Sequence, residues 1–318
     1  MKDIKHSIDW LNYSIDWPSS VMEWPLNNEA EELSIIRSCI PYRHVTGLPP
    51  ARSKANSAQG MHGYTKFFDM LWAVVGVHPN FKSQKIGVRM TGGDCQAYRD
   101  LGGSDCKMVE FVNHANAMTS RVDIAFDLFD YGINVPRLYD DWKSGKLKCR
   151  ARTARPLTEG VMVDGVVTEA TTVYFGSRES ELMARVYEKG KQTATGLDWT
   201  RFEVEIKGDR AIRTMKDCER FGVDVVGKQV LREYFPVMPY RFWKSLTAGP
   251  STALTGGERK KTERQIWLEN IVFPMLRDEI SSEWDSGQFT GITEALEGII
   301  RGNWQRRAIE IKKSFGRL

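Results

Sequence analysis

The sequence predicts an α+β fold: an antiparallel or mixed β-sheet with helices on one face and charged side chains on the other, followed by a helical C-terminal part. Two observations lead to this prediction. Segments in the middle of the chain alternate apolar with charged residues, which is the two-residue period of a half-buried strand. From about residue 208 the apolar residues recur at helical spacing instead, so runs of strands precede runs of helices.

The composition indicates a folded protein without a membrane span. Hydrophobic residues make up 41% of the 318 residues and aromatic residues 11%, which is enough for a sizeable core. The longest apolar runs are far shorter than a membrane helix, and the N-terminus lacks a signal-peptide core. The five cysteines show no CxxC spacing, so we expect reduced thiols, a cytoplasmic protein and no structural zinc. A net charge of +4 permits an anionic partner.

The elements before the central strands can be predicted from pattern and turn residues. "IDWLNYSIDW" and "QKIGVRMTG" are typical of strands, and residues 41–62, rich in Pro, Gly and Ser, predict a long loop. The turn "TGGD" leads into a short helix, and "DCKMVEFVNHANAM" has apolar residues at helical spacing. We therefore expect a strand, a loop, a second strand and two helices ahead of the main sheet.

The C-terminal third predicts helices and a possible hinge between two parts. "RAIRTMKDCERFG" and "VGKQVLREYF" have helical patterns, and "TAGPSTALTGG" at 247–257 has the composition of a linker. We expect a first domain over 1–246, the linker, and a helical region over 258–318. Apolar residues of that last region could form a dimer contact or an internal core, namely Ile266, Trp267, Ile271 and Leu276.

Two central strands carry acidic side chains at two-residue spacing. "RVDIAFDLF" directs Val122, Ile124, Phe126 and Leu128 to one face and Arg121, Asp123 and Asp127 to the other. "TRFEVEIKG" directs Phe202, Val204 and Ile206 inward and Arg201, Glu203, Glu205 and Lys207 outward. If the strands are neighbours, their carboxylates repel one another unless a cation lies between them.

These carboxylates predict either a metal site or a set of ion pairs. Hard oxygen ligands of this type suit Mg²⁺ or Mn²⁺, with Asp123, Asp127, Glu203 and Glu205 as the candidate ligands. The alternative is that the interleaved cations neutralise them as ordinary cross-strand pairs, namely Arg121, Arg201 and Lys207.

Tyr187 stands out in the stretch "ARVYEKGKQ" because cations flank it on one strand face. Arg185 and Lys189 lie two residues away on either side. A phenol is a poor nucleophile until cations or a metal favour its phenolate, and this setting predicts a tyrosine that could attack a phosphodiester. The alternative is an amphipathic strand tyrosine with its hydroxyl in water.

"KLKCRAR" predicts a further strand with a row of cations. Lys146, Lys148, Arg150 and Arg152 would share one face, at a spacing that roughly matches successive phosphates of a nucleic-acid strand. The alternative is an edge strand that lysines protect from aggregation. "VTEATTVYFGS" at 167–177 predicts one more strand.

Several catalytic motifs are absent from the sequence. The histidines form no HxH or HExxH pattern, and neither a P-loop nor a GxGxxG is present. There is no GxSxG elbow. Nucleoside triphosphate hydrolysis therefore has no support.

Taken together, four segments resemble the Rep_trans family, whose members initiate rolling-circle replication in plasmids and filamentous phages and are related to mobile-element relaxases. "IDWLNYSI", "RVDIAFDLFD", "TVYFGSRESELMARVYEKGKQ" and "WTRFEVEIKGDRA" occur in the order expected of that family and cover most of residues 7–215. The resemblance implies that 1–246 is a catalytic nicking and joining domain. It also implies that Tyr187 is the nucleophile, which forms a 5′-phosphotyrosine link and leaves a 3′-hydroxyl primer.

The resemblance further implies a divalent cation held among the four carboxylates and a set of DNA partners. Arg185 and Lys189 would assist Tyr187, and the cations predicted to contact DNA are Lys146, Lys148, Arg150, Arg152, Arg121, Arg201 and Lys207. Expected partners are double-stranded origin DNA, an extruded single strand, a host helicase and a second copy of the chain. A conjugative relaxase, a non-catalytic DNA-binding replication protein and a hydrolytic nuclease stay open as alternatives.

Overall fold

The computed structural model describes residues 2–16, 29–41, 52–54, 61, 63–77, 85–163 and 166–255. The helices in these ranges are α1 (Glu29–Ser38), α2 (Gly92–Asp100), α3 (Asp105–His114), α4 (Val135–Lys143), α5 (Lys189–Gln192), α6 (Gly208–Phe221), α7 (Val223–Tyr234) and α8 (Arg241–Leu246). The strands are β1 (Asp3–Ile15), β2 (Arg52–Lys54), β3 (Lys66–Asp69), β4 (Val74–Val77), β5 (Ile86–Met90), β6 (Met118–Phe129), β7 (Ala154–Val163), β8 (Val166–Phe175), β9 (Leu182–Tyr187) and β10 (Trp199–Lys207).

The strands of the described ranges form one ten-stranded sheet in the order β2-β3-β4-β5-β1-β6-β10-β9-β8-β7. Every pairing in it is antiparallel. The predicted α+β class with an antiparallel sheet is thus confirmed. The two strands with acidic spacing, β6 and β10, are direct neighbours at the centre of this sheet.

Helices cover the apolar face of the two central strands, as the alternation predicts. Phe126 and Phe202 are fully buried, and the Phe202 ring lies 5.5 Å from the Phe242 ring of α8. Gly227 of α7 packs so closely that a Cβ there would lie 2.8 Å from both Ile124 and Phe126. Burying each such side chain contributes about 1.5–3 kcal/mol, so this contact anchors α7 on the sheet.

Short helices α2 and α3 begin where the sequence provides N-caps. Thr91 caps α2, and its backbone N–H donates to the Asp94 carboxylate at 2.8 Å, which completes a capping box. Ser104 caps α3 through a bond from the Lys107 backbone N–H at 3.3 Å. Both predicted helices are therefore confirmed, but the "TGGD" turn is not, because Gly92, Gly93 and Asp94 already form the first turn of α2.

The prediction of a strand at "KLKCRAR" is wrong. The segment forms a single isolated bridge, Lys148 to Val237, and Arg150 donates its backbone N–H to the Tyr234 carbonyl at 2.9 Å. Leu147 is buried while the cations on either side of it point outward. The two-residue alternation therefore belongs to a segment that packs beside the end of α7 and not to a strand of the sheet. The neighbouring strand β8 is not available as a partner, because it already pairs with β7 and with β9. All four cations are exposed there.

Strand β7 was not predicted, and strands β2, β3 and β4 also lack a clear signal. Pro156 within β7 argues against a strand, yet β7 lies at the outer end of the sheet, where a missing N–H costs no ladder bond. The dipeptide Asp164-Gly165 between β7 and β8 is typical of hairpin turns and could have revealed the pair. β2 falls inside the stretch predicted as a loop, whose remaining residues are mostly outside the described ranges.

The chain divides into two units, Met1–Gly257 and Glu258–Leu318, and the second unit lies outside the described residues. The predicted linker at 247–257 is fastened to the first unit as far as Thr255, which bonds to Asp217 of α6 through its N–H at 2.9 Å and through its hydroxyl. Arg232 of α7 also donates to the Thr247 carbonyl at 2.6 Å. The predicted boundaries stay a prediction, as does the dimer contact within 258–318.

No helix in the described ranges is long and apolar enough to cross a membrane.

Candidate active site on the charged face of the sheet

The candidate functional residues lie on the charged face of the neighbouring strands β1, β6, β10 and β9. Antiparallel register places Arg201 opposite Asp127 on one side and opposite Tyr187 on the other. Two residues along β10, Glu203 lies opposite Arg185. Because side chains alternate between the faces of a strand, these residues share one side of the sheet. The register therefore brings the predicted nucleophile together with cations and carboxylates.

Tyr187 is held by a carboxylate and flanked by cations. Its hydroxyl donates a 3.0 Å hydrogen bond to Oε2 of Glu203, and its side chain is 6% exposed. Arg185 contacts the other oxygen of the same carboxylate. The Arg185 guanidinium lies 5.8 Å and the Lys189 ammonium 5.7 Å from the centre of the phenol ring. Lys189 approaches the phenol ring from the start of α5 and not, as the sequence predicted, from the strand that carries Tyr187.

Burial and nearby charges determine the protonation states of this group. Burial and the charge of Glu203 raise the pKa of Tyr187 well above its ordinary value. Burial also disfavours the Glu203 carboxylate, but the Arg185 guanidinium outweighs it and lowers the pKa of Glu203. Burial and the charge of Arg201 lower the pKa of Lys189. At neutral pH, Tyr187 is therefore a neutral phenol that donates to an ionised carboxylate.

Arg201 neutralises two carboxylates from different strands. Its Nε and Nη2 donate to the two oxygens of Asp127 at 2.7 and 2.8 Å, and its Nη1 donates to Asp9 at 2.6 Å. The indole N–H of Trp199 also donates to Asp127. A forked pair of this kind is rigid and strong. Arg201 is buried and fully engaged, so its placement favours the predicted ion-pair alternative over a DNA contact.

The sequence analysis missed Asp9, and no pattern in the sequence singles it out. The register between β1 and β6 shifts between Ile8 and Trp10, which is the mark of a β-bulge. The Ile8 N–H donates to Asp105 of α3 at 2.9 Å, which leaves β1 locally without a ladder bond. The bulge directs Asp9 towards the charged face. Burial and the charge of Glu203 raise the pKa of Asp9.

A second ion-paired group lies further along the same two strands. Arg121 donates to Asp123 through Nε at 2.8 Å and reaches Glu205 at 2.8 Å. Lys207 contacts the other oxygen of Glu205 at 2.5 Å. The Arg121 guanidinium also lies 4.4 Å from the centre of the Trp10 ring, a cation–π contact. Arg121 thus pairs with Asp123 along its own strand and with Glu205 across the strands, and Lys207 pairs with Glu205 along β10.

The chemistry of one carboxyl pair fits a divalent cation. Asp123 and Glu203 are buried, and a hydrogen bond from Asp123 lowers the pKa of Glu203. Burial, with a further contribution from Glu203, raises the pKa of Asp123. Two crowded carboxyl groups of this kind gain from a shared cation, and Mg²⁺ is bound through one or two carboxylates together with water and phosphate oxygens.

All four predicted ligands are engaged by neighbouring side chains. Both oxygens of Asp127 bond to Arg201, both oxygens of Glu205 contact cations, and both oxygens of Asp123 bond to Arg121. Within the part of the chain that the structure describes, no group of three or more His, Cys, Asp or Glu residues is arranged to hold a metal ion. The basic segment at 146–152 lies beside α7, away from Tyr187.

Comparisons with known proteins agree with this fold. Residues 117–244 match the Rep_trans family model, described as a replication initiation factor. A 166-residue region is 24% identical to NicK of Bacillus subtilis (strain 168), which is named as a candidate DNA relaxase; this region is 48% of the chain and spans only 46% of NicK. The solved structure of a rolling circle replication initiator protein from Geobacillus stearothermophilus has a similar fold, with a TM-score of 0.57 and 21% identity over 73% of this chain and 86% of that one. Residues 117–244, less than half of the chain, are therefore similar to the Rep_trans family of replication initiation factors.

Proposed function

We propose that this protein initiates rolling-circle replication by nicking one strand of an origin, with Tyr187 as the nucleophile. The observation that carries the proposal is the hydrogen bond from the Tyr187 hydroxyl to Glu203 at 3.0 Å, on a sheet face where Arg185 and Lys189 flank the ring. A phenol beside a base and among cations has what a nucleophile needs for attack on a phosphodiester. The Rep_trans match adds support from an independent direction.

The proposed first step is a transesterification. The phenol oxygen of Tyr187 forms a bond to the scissile phosphorus while the bond from phosphorus to the 3′-oxygen breaks. The phenolic proton passes to Glu203, and the leaving 3′-oxygen takes a proton from Lys189. The products are a 5′-phosphotyrosine link and a free 3′-hydroxyl that can prime synthesis. Since one phosphoester replaces another, the reverse reaction can rejoin the strand.

The pKa directions of Tyr187 and Lys189 support these roles, whereas the role of Glu203 rests on its hydrogen bond to the phenol, since its own pKa is lowered. Because the pKa of Tyr187 is raised, a free phenolate does not accumulate, and the proton leaves for Glu203 as the new bond forms. Because the pKa of Lys189 is lowered, this ammonium is a better proton donor than an ordinary lysine. Arg185 would offset the negative charge that gathers on the phosphate.

The proposal includes a divalent cation, Mg²⁺ or Mn²⁺. Asp123 and Glu203, which hydrogen-bond to each other, are the residues that would hold it, and Asp127 and Glu205 stay candidates. When bound there, such an ion supplies positive charge beside the phosphate in a buried setting. Proposed partners are the double-stranded origin, its extruded single strand, a host helicase and a second copy of the chain.

A relaxase of a mobile element is a second candidate function. The similarity to NicK, a candidate DNA relaxase, favours it. The chemistry at Tyr187 would be the same, and only the DNA sequence that is nicked and the machinery that follows would differ. Nicking at a replication origin and nicking at a transfer origin are therefore the outcomes that separate the two.

A covalent-adduct experiment tests the proposed chemistry. The protein is mixed with Mn²⁺ or Mg²⁺ and single-stranded oligonucleotides that tile its own gene and flanking DNA, and the products are run on a denaturing gel. We expect a shifted protein band that maps to Tyr187 by mass spectrometry and disappears with EDTA. Tyr187→Phe should lose the band while it still binds DNA.

Tyr174→Phe is the matched control, because Tyr174 lies opposite Arg185 on the same face and has Arg155 over its ring at 4.8 Å. This variant should keep the adduct. Cleavage by Tyr187→Phe would refute the assignment of the nucleophile. Cleavage without any adduct would point to the hydrolytic nuclease, and binding without cleavage would point to a non-catalytic DNA-binding protein.

A further inference from the structure

A cavity opens between the turn after β6, the start of α4 and the start of α8. Its volume is about 400 Å³, within the ~300–1,000 Å³ that small-molecule pockets occupy. Three cations and three aromatic residues line it: Lys2, Arg137, Arg241, Tyr131, Tyr240 and Phe242. None of its lining residues is acidic. A wall of this composition suits a ligand that combines a negative charge with a flat ring.

Two of the cations have no carboxylate partner. Within the described residues, neither Lys2 nor Arg241 forms an ion pair, and both are exposed. The Lys2 ammonium lies 5.3 Å from the centre of the Tyr131 ring. The Arg137 guanidinium forms an ion pair with the Asp141 carboxylate at 3.6 Å, and the Tyr240 hydroxyl donates to the same carboxylate. Two positive charges at the cavity are therefore available to a phosphate.

The aromatic residues of the cavity offer surfaces for a base. Tyr240 stacks on Phe242 with ring centres 5.3 Å apart and planes 19° apart. Tyr131 and Tyr240 are half-buried, so part of each ring is open to a ligand. Aromatic rings beside cations are what proteins use to bind single-stranded nucleic acid without reading its sequence.

The cavity lies at the same end of the central strands as Tyr187. The turn after β6 is tied to the residue before β10, since the Gly132 N–H donates to Asp198 at 2.6 Å. Arg201, two residues into β10 from Trp199, lies opposite Tyr187 in the register. The cavity and the nucleophile therefore border the same short edge of the sheet.

A row of rings and cations leads from Tyr187 towards that edge. The Lys189 ammonium lies 5.7 Å from the Tyr187 ring and 6.0 Å from the Trp199 ring. Trp199 stacks on Phe129 with ring centres 5.3 Å apart, and Lys5 lies 5.5 Å from the Phe129 ring. Trp199 and Phe129 are both half-buried and alternate with cations in the way a stacking path for a single strand requires.

We propose that this cavity binds one nucleotide, phosphate and base together, of a single DNA strand that passes over Trp199 and Phe129 on its way from Tyr187. Lys2 and Arg241 contact the phosphate, and Tyr131 or Tyr240 stacks on the base. The direction of the strand rests on the proposed function, because that function puts the scissile phosphate at Tyr187. The binding itself does not depend on cleavage.

The test measures binding without chemistry. In the Tyr187→Phe protein with EDTA, the affinity for a fluorescent oligothymidylate of about ten nucleotides is measured by anisotropy. Arg241→Ala and Tyr131→Ala should each weaken binding about tenfold, the loss of one stacked or phosphate contact. Lys244→Ala is the matched control, an exposed cation of the same helix outside the cavity, and should change affinity less than about twofold.

Competition with thymidine monophosphate tests whether the cavity binds a nucleotide of a DNA strand or a free nucleotide. We expect the monophosphate to displace the oligonucleotide only at concentrations at least about a hundredfold above the oligonucleotide Kd, since one nucleotide makes only part of the contacts. The opposite result would be that the monophosphate binds saturably, that Arg241→Ala abolishes this binding, and that oligonucleotide binding is unchanged. It would overturn the proposal that the cavity binds a DNA strand and would indicate a free nucleotide as its ligand.

Failure of this inference can be told apart from failure of the proposed function. Parent-like oligonucleotide affinity in both Arg241→Ala and Tyr131→Ala overturns the inference, even where Tyr187 forms its adduct. Weakened binding in both variants, with no adduct at Tyr187 in the separate gel experiment, supports the cavity and removes the proposed nucleophile. Arg241 is exposed, so its variant reports on binding instead of folding.

Discussion

Tyr187 and Glu203 are diagonal neighbours on β9 and β10, and a 3.0 Å hydrogen bond joins them. Arg185 completes the group, because it lies directly opposite Glu203 and contacts its second oxygen. The carboxylate is therefore shared between an arginine that keeps it ionised and a phenol that, in the proposed reaction, passes its proton to it.

Glu203→Gln should abolish most of the nicking activity. The amide can still accept the Tyr187 hydrogen bond but cannot take the proton, and loss of a general base lowers rates by about 10²–10⁴-fold. Single-turnover adduct formation would measure the loss. Glu205→Gln is the control, because Glu205 contacts Arg121 and Lys207 instead of the phenol. Equal losses in the two variants would contradict the role given to Glu203.

Arg201→Ala should destabilise the fold by about 3–5 kcal/mol, because it leaves buried Asp127 and half-buried Asp9 without their partner. Urea denaturation would measure the free energy of unfolding. Lys146→Ala is the control: Lys146 is exposed and lies 3.8 Å from Asp141, which keeps its contacts with Arg137 and Tyr240, so we expect less than about 0.5 kcal/mol. A similarly small loss in Arg201→Ala would show that its hydrogen bonds to Asp127 and Asp9 contribute little to the free energy of unfolding.

Gly227→Ala should destabilise the protein by about 1–3 kcal/mol, as overpacking does. The added Cβ would lie 2.8 Å from Ile124 and Phe126, which are themselves held in the core. Gly93→Ala, also within a helix, meets only Thr91 at 4.0 Å and should be neutral or slightly stabilising. Thermal unfolding of the two variants measures the difference, and the same change in both would argue against close packing of α7.

Thiol titration should report the fold around the cysteines. Burial raises the pKa of Cys39 to about 11 and also raises those of Cys95 and Cys218, so these thiols stay protonated at about pH 8. We expect an Ellman-type reagent to modify exposed Cys106 quickly, half-buried Cys149 more slowly, and the other three only in denaturant. Cys106→Ser should remove the fast phase. Rapid reaction of three or more thiols in the native protein would contradict the described core.

The dependence on divalent cation should separate the predicted ligands. Asp123→Asn should raise the Mn²⁺ concentration needed for adduct formation at least about tenfold, since Asp123 is one of only two carboxyl groups at the fitted site. Asp127→Asn should leave that concentration nearly unchanged, because Asp127 bonds to Arg201 and Trp199 and is not part of the pair formed by Asp123 and Glu203. A larger effect at Asp127 would move the proposed ion to the other pair.

The local sequence pattern was sufficient to predict much of the fold and the residues at the centre of the candidate site. The two-residue alternation in β6 and β10 predicted which side chains share the charged face, and the register confirms that they do. The position of Arg185 beside Tyr187 was predictable in the same way, whereas Lys189 reaches the ring from the start of α5. Such patterns are readable because side-chain direction in a strand follows from the backbone geometry of the strand alone.

The same pattern failed where pairing partners matter. The alternation of "KLKCRAR" is shared by any extended chain, and only the neighbours available in space decide whether it joins a sheet. Pro156 disfavours a strand in general but is tolerated at the outer position that β7 occupies. Local residues do not reveal which position in the sheet a segment will take.

By itself, the sequence determined the α+β class, the charged face and the position of Tyr187 among cations. Only the tertiary structure decided which partner each charge has: Arg201 bonds to Asp9, 192 residues away, because a bulge in β1 directs that carboxylate towards β10. Strand order and bulges arise from packing between distant segments, whereas face and period arise from the backbone of one segment. The hydrogen bond between Glu203 and Tyr187 depends on the packing of distant segments, whereas the alternation that directs Tyr187 to the charged face depends on one strand alone.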